Sequence, residues 1–391
     1  MKEELGMNVL YVIGGKGLKY GAEVVASNLI DSITRNYNVH YTVIINSKGV
    51  ISELCEKLGI EYHVVKLRPY VYAKENNVLV DEIKRNLLLT RALVDDAIAL
   101  KKIEKVVDFS KIDIVHTNLS RNMLGAKIVK KYAIPHVWHL QEMYNVHYKL
   151  YFLKRNQINY MNRYASAFVG ISHTVSDDWI SHGIDKIKCH TILNGVSTKE
   201  TERHTSKYPR YRLVMIAEIT PPKGQEFVID ALSRLSTKDR MKLSLDFVGS
   251  GKEKYIKKLK DKVKRKGLDS RIIFRGYIEN IDSILPSYDI LINASDGEGF
   301  GLSTAEAMMN SVCPLVSDRG ANVELIKDKF TGIIFKWGNE EHFIDSLLYL
   351  INESVIEEFS TNAREYALKH FTVQRQAQEV YDLYSSLLIE S

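Results

Sequence analysis

The chain has 391 residues, 45% of them hydrophobic and 26% charged, with a formal net charge of +6 that is concentrated in residues 1–200. That length exceeds what a single hydrophobic core usually spans, so two domains are expected, and the composition excludes a disordered or low-complexity chain. No apolar run approaches the roughly 20 residues a membrane-spanning helix needs, the N-terminus lacks a cleavable signal pattern, and three scattered cysteines (Cys55, Cys189, Cys313) read as reduced thiols of a cytoplasmic protein.

Strand-like and helix-like segments alternate along the whole chain, which predicts parallel sheets covered by helices. Asn8–Ile13 is an apolar, β-rich run ending in glycines, and a helical stretch follows from Ala22 to about Arg35. Further strands are expected at His40–Ile45, Ile112–His116, His136–Leu140, Ala167–Ile171 and Cys189–Leu193. Helices are expected at Val50–Leu58, Leu87–Asp108, Asn122–Tyr132 and Thr174–His182. Around Ser197–Tyr211 the pattern lapses into a polar, charged stretch, the best linker in the chain. A second start follows, with strands at Arg212–Ala217, Leu243–Val248, Ile272–Phe274, Ile290–Asn293, Val312–Val316 and Gly332–Phe335, and a helix at Gly224–Leu235. The expected domains are therefore 1–200 and 201–372, both Rossmann-like, with a helix in 373–391 crossing back to the first.

The densest chemical signal is the run from Asp296 to Met308, "DGEGFGLSTAEAM". A strand ends near Asn293, glycines bend the backbone, and a helix begins near Leu302. The amides of Leu302, Ser303 and Thr304 then lie at a helix N-terminus, where a phosphate is favoured. Glu298 precedes this helix and Glu306 sits about one turn inside it, so both carboxylates can face one ligand and accept hydrogen bonds from vicinal hydroxyls. Taken singly, the glycines would be a tight turn and Glu306 a surface residue; the whole string argues for a site.

That string resembles the E-x7-E signature of the family 4 glycosyltransferases, whose two-domain fold is called GT-B. The resemblance covers most of the chain: "GLKYGAEVVASNLI" (17–30), "DIVHTN" (113–118), "ILNGVS" (192–197), "PPKGQ" (221–225), "DFVGSGKEK" (246–254) and "IIFRGYIENI" (272–281) are similar to the family's landmarks, in the family's order. It implies an α/β protein of two Rossmann-like domains with parallel sheets facing across an interdomain cleft. It also implies a retaining transferase that moves a sugar from a nucleotide diphosphate sugar, most often a UDP-sugar, to a glycan or lipid-linked acceptor of cell-surface polysaccharide or glycolipid synthesis. By the same resemblance Glu306 holds the donor's ribose, Glu298 contacts its sugar, and Lys223 neutralises the departing diphosphate. Gly21 approaches the diphosphate or sugar, with Gly17 shaping the same loop, and His139 lines the donor-sugar site. Tyr277 is the candidate neighbour of the base. No cofactor is expected beyond the nucleotide-sugar co-substrate, and no metal, since no two aspartates are spaced D-x-D.

The chain departs from the family pattern in places. Glu218 stands where an arginine usually precedes Lys223, leaving Arg319 or Arg275 to compensate; Ser311 and Cys313 replace a common glycine and proline, and Asn118 a frequent histidine. Two segments of the first domain combine basic and aromatic residues, "KLRPYVYAK" (66–74) and "YNVHYKLYFLKRNQINYMNRY" (144–164). Such residues suit an acceptor or an anionic membrane surface, and the second segment equally suits a core helix with a charged outer face. The expected location is cytoplasmic, peripheral to the inner face of a membrane when docked, and nothing points to nucleic acid. A nucleotide-sugar epimerase of the same fold and a non-catalytic nucleotide-sugar-binding partner subunit remain alternatives. A Rossmann oxidoreductase does not fit, because "GGKGLKYGAE" (14–23) lacks the G-x-G-x-x-G spacing.

Overall fold

The computed structural model describes residues 6–14, 21–144, 150–197, 211–352 and 355–389. Gly17 and most of the expected linker lie outside them. The chain divides into two compact units, Met1–Gly195 with Val373–Ser391, and Val196–Thr372.

The strands of the first unit are β1 (Met7–Ile13), β2 (Val39–Ile45), β3 (Glu61–Val64), β4 (Val71–Ala73), β5 (Ile114–Asn118), β6 (His136–Leu140), β7 (Leu150–Phe152), β8 (Ala167–Gly170) and β9 (Cys189–Thr191). Seven form one sheet in the order β3-β2-β1-β5-β6-β8-β9, parallel throughout. Its central strands β1, β5 and β6 are buried on both faces, which is why β1 reads as a continuous apolar run and not as an alternating one, while β5 and β6 bury polar side chains among the apolar ones. The helices are α1 (Gly21–Asn36), α2 (Val50–Leu58), α3 (Val78–Ile103), α4 (Leu124–Tyr132), α5 (Gln157–Tyr164) and α6 (His173–Ser181).

The second unit repeats the plan. Strands β10 (Tyr211–Ile216), β11 (Leu243–Val248), β12 (Ile272–Gly276), β13 (Ile290–Asn293), β14 (Cys313–Ser317) and β15 (Ile333–Phe335) form a parallel sheet in the order β12-β11-β10-β13-β14-β15. Its helices are α7 (Gln225–Arg234), α8 (Thr237–Met241), α9 (Glu253–Arg265), α10 (Leu302–Met309), α11 (Asn322–Leu325), α12 (Glu340–Asn352) and α13 (Ile356–His370). Helix α14 (Val373–Ile389) belongs to the first unit, where Ala377, Val380, Leu383 and Tyr384 join the core formed by β1, β2 and α1.

Three local readings of the sequence need correction. The helix expected at Leu87–Asp108 runs instead from Val78 to Ile103, because Asn77 caps it by accepting from the amides of Leu79 and Val80 at 3.0 and 3.2 Å. Asp108 does not extend that helix; its carboxylate caps the next short turn through the Ser110 amide at 3.1 Å. The second basic and aromatic segment is not one core helix: its β7 pairs antiparallel with β4 of the first, Val71 opposite Phe152 and Ala73 opposite Leu150, and α5 follows.

Candidate functional site

In a doubly wound sheet a ligand crevice opens at the carboxyl ends of the strands where the strand order reverses direction. In the second unit that point lies between β10 and β13. The loop after β10 carries Lys223 and the loop after β13 carries Glu298, and the structure brings them together: Lys223 Nζ lies 2.7 Å from Glu298 Oε1, with side chains 25% and 16% exposed. The loops are also joined by backbone, the Asp296 amide donating to Pro222 O at 2.8 Å. Gly224 makes this approach possible. It has φ +80°, and a Cβ there would fall 2.3 Å from Ala294 O.

Glu298 is held from several sides. The Ser295 hydroxyl donates to Oε1 at 2.7 Å, and the Ala321 amide donates to Glu298 O at 2.8 Å. Gly320, at φ +63°, passes so close that a Cβ would lie 2.3 Å from the Glu298 nitrogen. Beneath the loop runs a buried polar network. Asn293 Nδ2 donates to Thr304 Oγ1 and to Asn322 Oδ1, both at 3.1 Å. Asn322 Nδ2 donates to Ser317 Oγ at 3.3 Å, and Ser317 Oγ to Ser295 O at 2.7 Å. Neither the network nor Gly320 was found from the sequence. The one signal for it was a polar residue closing each of two apolar strands, Asn293 on β13 and Ser317 on β14.

Helix α10 starts after Gly301, whose φ of +94° turns the chain into it. Leu302 and Ser303 stand partly buried on its first turn. Thr304 is different: its amide, expected to be open to a phosphate, donates to Gly301 O at 2.9 Å, and its side chain is fully buried against Asn293. Thr304 is therefore part of the wall. Glu306 is partly buried, and burial first, with the charge of Asp282 second, pushes its carboxyl up to about 8. Tyr277 stands 44% exposed past the end of β12, two strands from β10. Of the two arginines considered as compensation for Glu218, Arg275 is tied to Asp246 at 3.0 Å, whereas Arg319 directly precedes Gly320 and lies over the Trp337 ring at 5.3 Å.

In the first unit the strand order reverses between β1 and β5. Gly21 is exposed at the start of α1 after β1, with φ +26°. His139, on β6, is fully buried; its Nδ1 lies 3.2 Å from His116 Nε2, while its own Nε2 is buried without a hydrogen-bond partner. His116 in turn lies 2.6 Å through Nδ1 from the Tyr384 hydroxyl of α14 and stacks on Tyr11 at 4.4 Å. Burial holds His139 down to about 3 and His136 down to about 4, and lowers His116 well below the usual imidazole range with help from its two histidine neighbours. At neutral pH these rings are uncharged, so His139 can offer a hydrogen bond but not a charge. Among the described residues no group of three or more His, Cys, Asp or Glu is placed to hold a metal ion.

Residues 196–370 match the family model described as "Glycosyl transferases group 1", and residues 50–200 the model "Glycosyltransferase Family 4". An Escherichia coli protein named UDP-Gal:α-D-GlcNAc-diphosphoundecaprenol α-1,3-galactosyltransferase is 22% identical over 94% of this chain and 97% of its own. The poly(glycerol-phosphate) α-glucosyltransferase of Bacillus subtilis is 31% identical, over 48% of this chain and 26% of its own. In fold, the crystal structure of Anabaena HepE in complex with UDP aligns with a TM-score of 0.78 at 20% identity, covering 97% of this chain and all of that one. With both units matched by these models and each built on a doubly wound parallel sheet, the chain belongs to the family 4 glycosyltransferases, enzymes of the GT-B fold that act on nucleotide sugars.

Proposed function

We propose that the protein is a retaining, metal-independent transferase that takes a hexose from a UDP-sugar and delivers it to a lipid-linked or glycan acceptor. The observation that carries this reading is the Lys223–Glu298 pair at the switch point of the second sheet, directly before α10. Paired with each other, the two charges neutralise one another. A bound diphosphate draws the Lys223 ammonium to itself, and the α10 N-terminus adds the partial positive charge of its first turn, around Leu302 and Ser303. Glu298, released from the lysine but still held by Ser295, then accepts from sugar hydroxyls. Glu306 meets the ribose, and Arg319 supplies the charge that Glu218 withholds. Bond breaking leaves negative charge on the diphosphate and positive charge on the sugar ring; Lys223 stabilises the first and the Glu298 carboxylate the second. Gly21 and His139 of the first unit are assigned to the same donor by resemblance, His139 as a neutral hydrogen-bonding group.

The uridine base is supported by the UDP in the HepE structures and by the donor in the Escherichia coli enzyme's name, and the lipid-linked acceptor by the diphosphoundecaprenol in that name. The test is slow hydrolysis of a panel of nucleotide sugars, with and without chelator, followed by NMR of the released sugar. Hydrolysis confined to UDP-sugars, indifferent to chelator and with the anomeric configuration kept, is expected. Release of the inverted anomer, loss of turnover in chelator that only a metal restores, or conversion of the donor into its epimer would each refute the part of the proposal it addresses.

A further inference from the structure

Helix α3 has 26 residues, about 39 Å at the usual rise. Asp81, Ala92, Asp96, Ala99 and Ile103 are buried, and the face it turns outward is apolar: Leu79 (76% exposed), Ile83 (68%), Leu87, Val94 and Ile98. At 100° per residue these fall in one stripe about a quarter turn wide from Leu79 to Ile98, with Thr90 inside it and Lys101 beyond its end. Apolar residues scattered singly on a surface need no explanation, but five aligned on one helix face mark something that covers them.

The charges around the stripe indicate what. Every carboxylate on α3 has a partner. Asp81 accepts from the Tyr72 hydroxyl at 2.8 Å, Glu82 pairs with Arg155 at 3.1 Å, Asp95 with Arg68 at 2.7 Å, and Asp96 with Lys127 at 2.7 Å. Arg91, Lys101 and Lys102 are exposed on the same helix, and Lys105 is exposed just beyond it. Arg155, Arg68 and Lys127 thus cancel three of the acids, and the fourth, Asp81, is buried away from the stripe, which leaves the outer face apolar with a positive border. The β4–β7 ribbon extends it: Lys84 of α3 donates to Ala73 O at 3.0 Å, and Tyr151 is 42% exposed with the Lys74 ammonium 5.4 Å from its ring.

We propose that α3 and the β4–β7 ribbon lie flat on an anionic lipid surface, with Leu79, Ile83, Leu87, Val94 and Ile98 at the acyl boundary and the exposed cations against phosphate headgroups. This surface goes beyond the sugar-transfer reading and is read out without any donor. Among the described residues no helix is long and apolar enough to cross a membrane, so the contact is one of lying on the bilayer.

Cosedimentation of the full chain with vesicles containing phosphatidylglycerol, compared with phosphatidylcholine alone, tests it, with sedimentation velocity on the free protein. Binding to the anionic vesicles that weakens in high salt is expected. The variant Ile83→Ser, Leu87→Ser, Val94→Ser loses it. The variant Arg91→Glu, Lys101→Glu, Lys102→Glu weakens it about a hundredfold at low salt. Donor hydrolysis is unchanged in both, which also shows that they fold. An Ile83→Trp chain gains an emission band that shifts to the blue only with anionic vesicles. Absence of binding, or binding untouched by the serine variant, overturns the proposal. So does a wild-type dimer that the serine variant turns into a monomer while neither binds vesicles, which would make a second copy the occupant.

Discussion

The second unit places its buried polar residues at the carboxyl ends of β13 and β14, where Asn293, Ser317 and Asn322 bond to one another and brace a loop that carries a partly exposed ion pair. The first unit has an equally polar spot on β5 and β6, yet there His116, His136 and His139 are fully buried and uncharged. Two copies of one architecture thus do different electrostatic work. One presents charge on a rigid support; the other presents neutral hydrogen-bonding groups.

The sharpest way to break that contrast is to remove the charge. Lys223→Ala should lower turnover about 100- to 1000-fold, read as kcat for donor hydrolysis, with the melting temperature little changed. An effect under about tenfold would mean that the second unit's charge is not what drives the reaction. Next in size is Gly320→Ala, whose methyl must displace the Glu298 backbone. A loss of about 1–3 kcal/mol in unfolding experiments, with turnover falling in step, is expected, whereas unchanged activity would separate Glu298's position from its role.

The two units should also respond to pH with opposite sign. Glu306 titrates near 8 in the folded chain against about 4.5 when unfolded, so between those values the folded state holds more protons, and the second unit loses stability as pH rises from about 4.5 to 8. The histidines are held down to about 3 and 4, below the usual 6.5, so the unfolded state holds more protons, and the first unit loses stability as pH falls below about 6.5. Hydrogen exchange followed peptide by peptide separates the two, and Glu306→Gln should flatten the slope in the second unit alone. The smallest effect is that of Tyr384→Phe. It removes one hydrogen bond to His116 and should cost about 1 kcal/mol, in the first unit only, by the same exchange measurement.

The site was legible where its parts are adjacent in sequence. An apolar strand, a glycine-rich turn and a helix between 290 and 309 announce themselves through composition, and the order of later motifs pointed to Lys223. What was not legible depends on residues far apart in the chain that strand pairing makes neighbours. Asn293, Ser317 and Asn322 mean nothing singly, and the Thr304 amide reads as open until Gly301 O is seen to accept it. The early start of α3 was missed for another reason: Val78, Leu79, Val80 and Ile83 give no inward-facing helical period, because the apolar side of that helix faces out.

Helix α14 has a consequence for how the molecule is made. Its Ala377, Val380, Leu383 and Tyr384 complete the core around β1, β2 and α1, and Gln376 accepts the Gly195 amide at 2.9 Å. On the ribosome, every strand of the first sheet has been synthesised before translation reaches Val196, but the wedge that seals it leaves the exit tunnel only after the whole second unit has passed through. The half that is synthesised first is therefore the half whose core is completed last, with the face that α14 covers open until then.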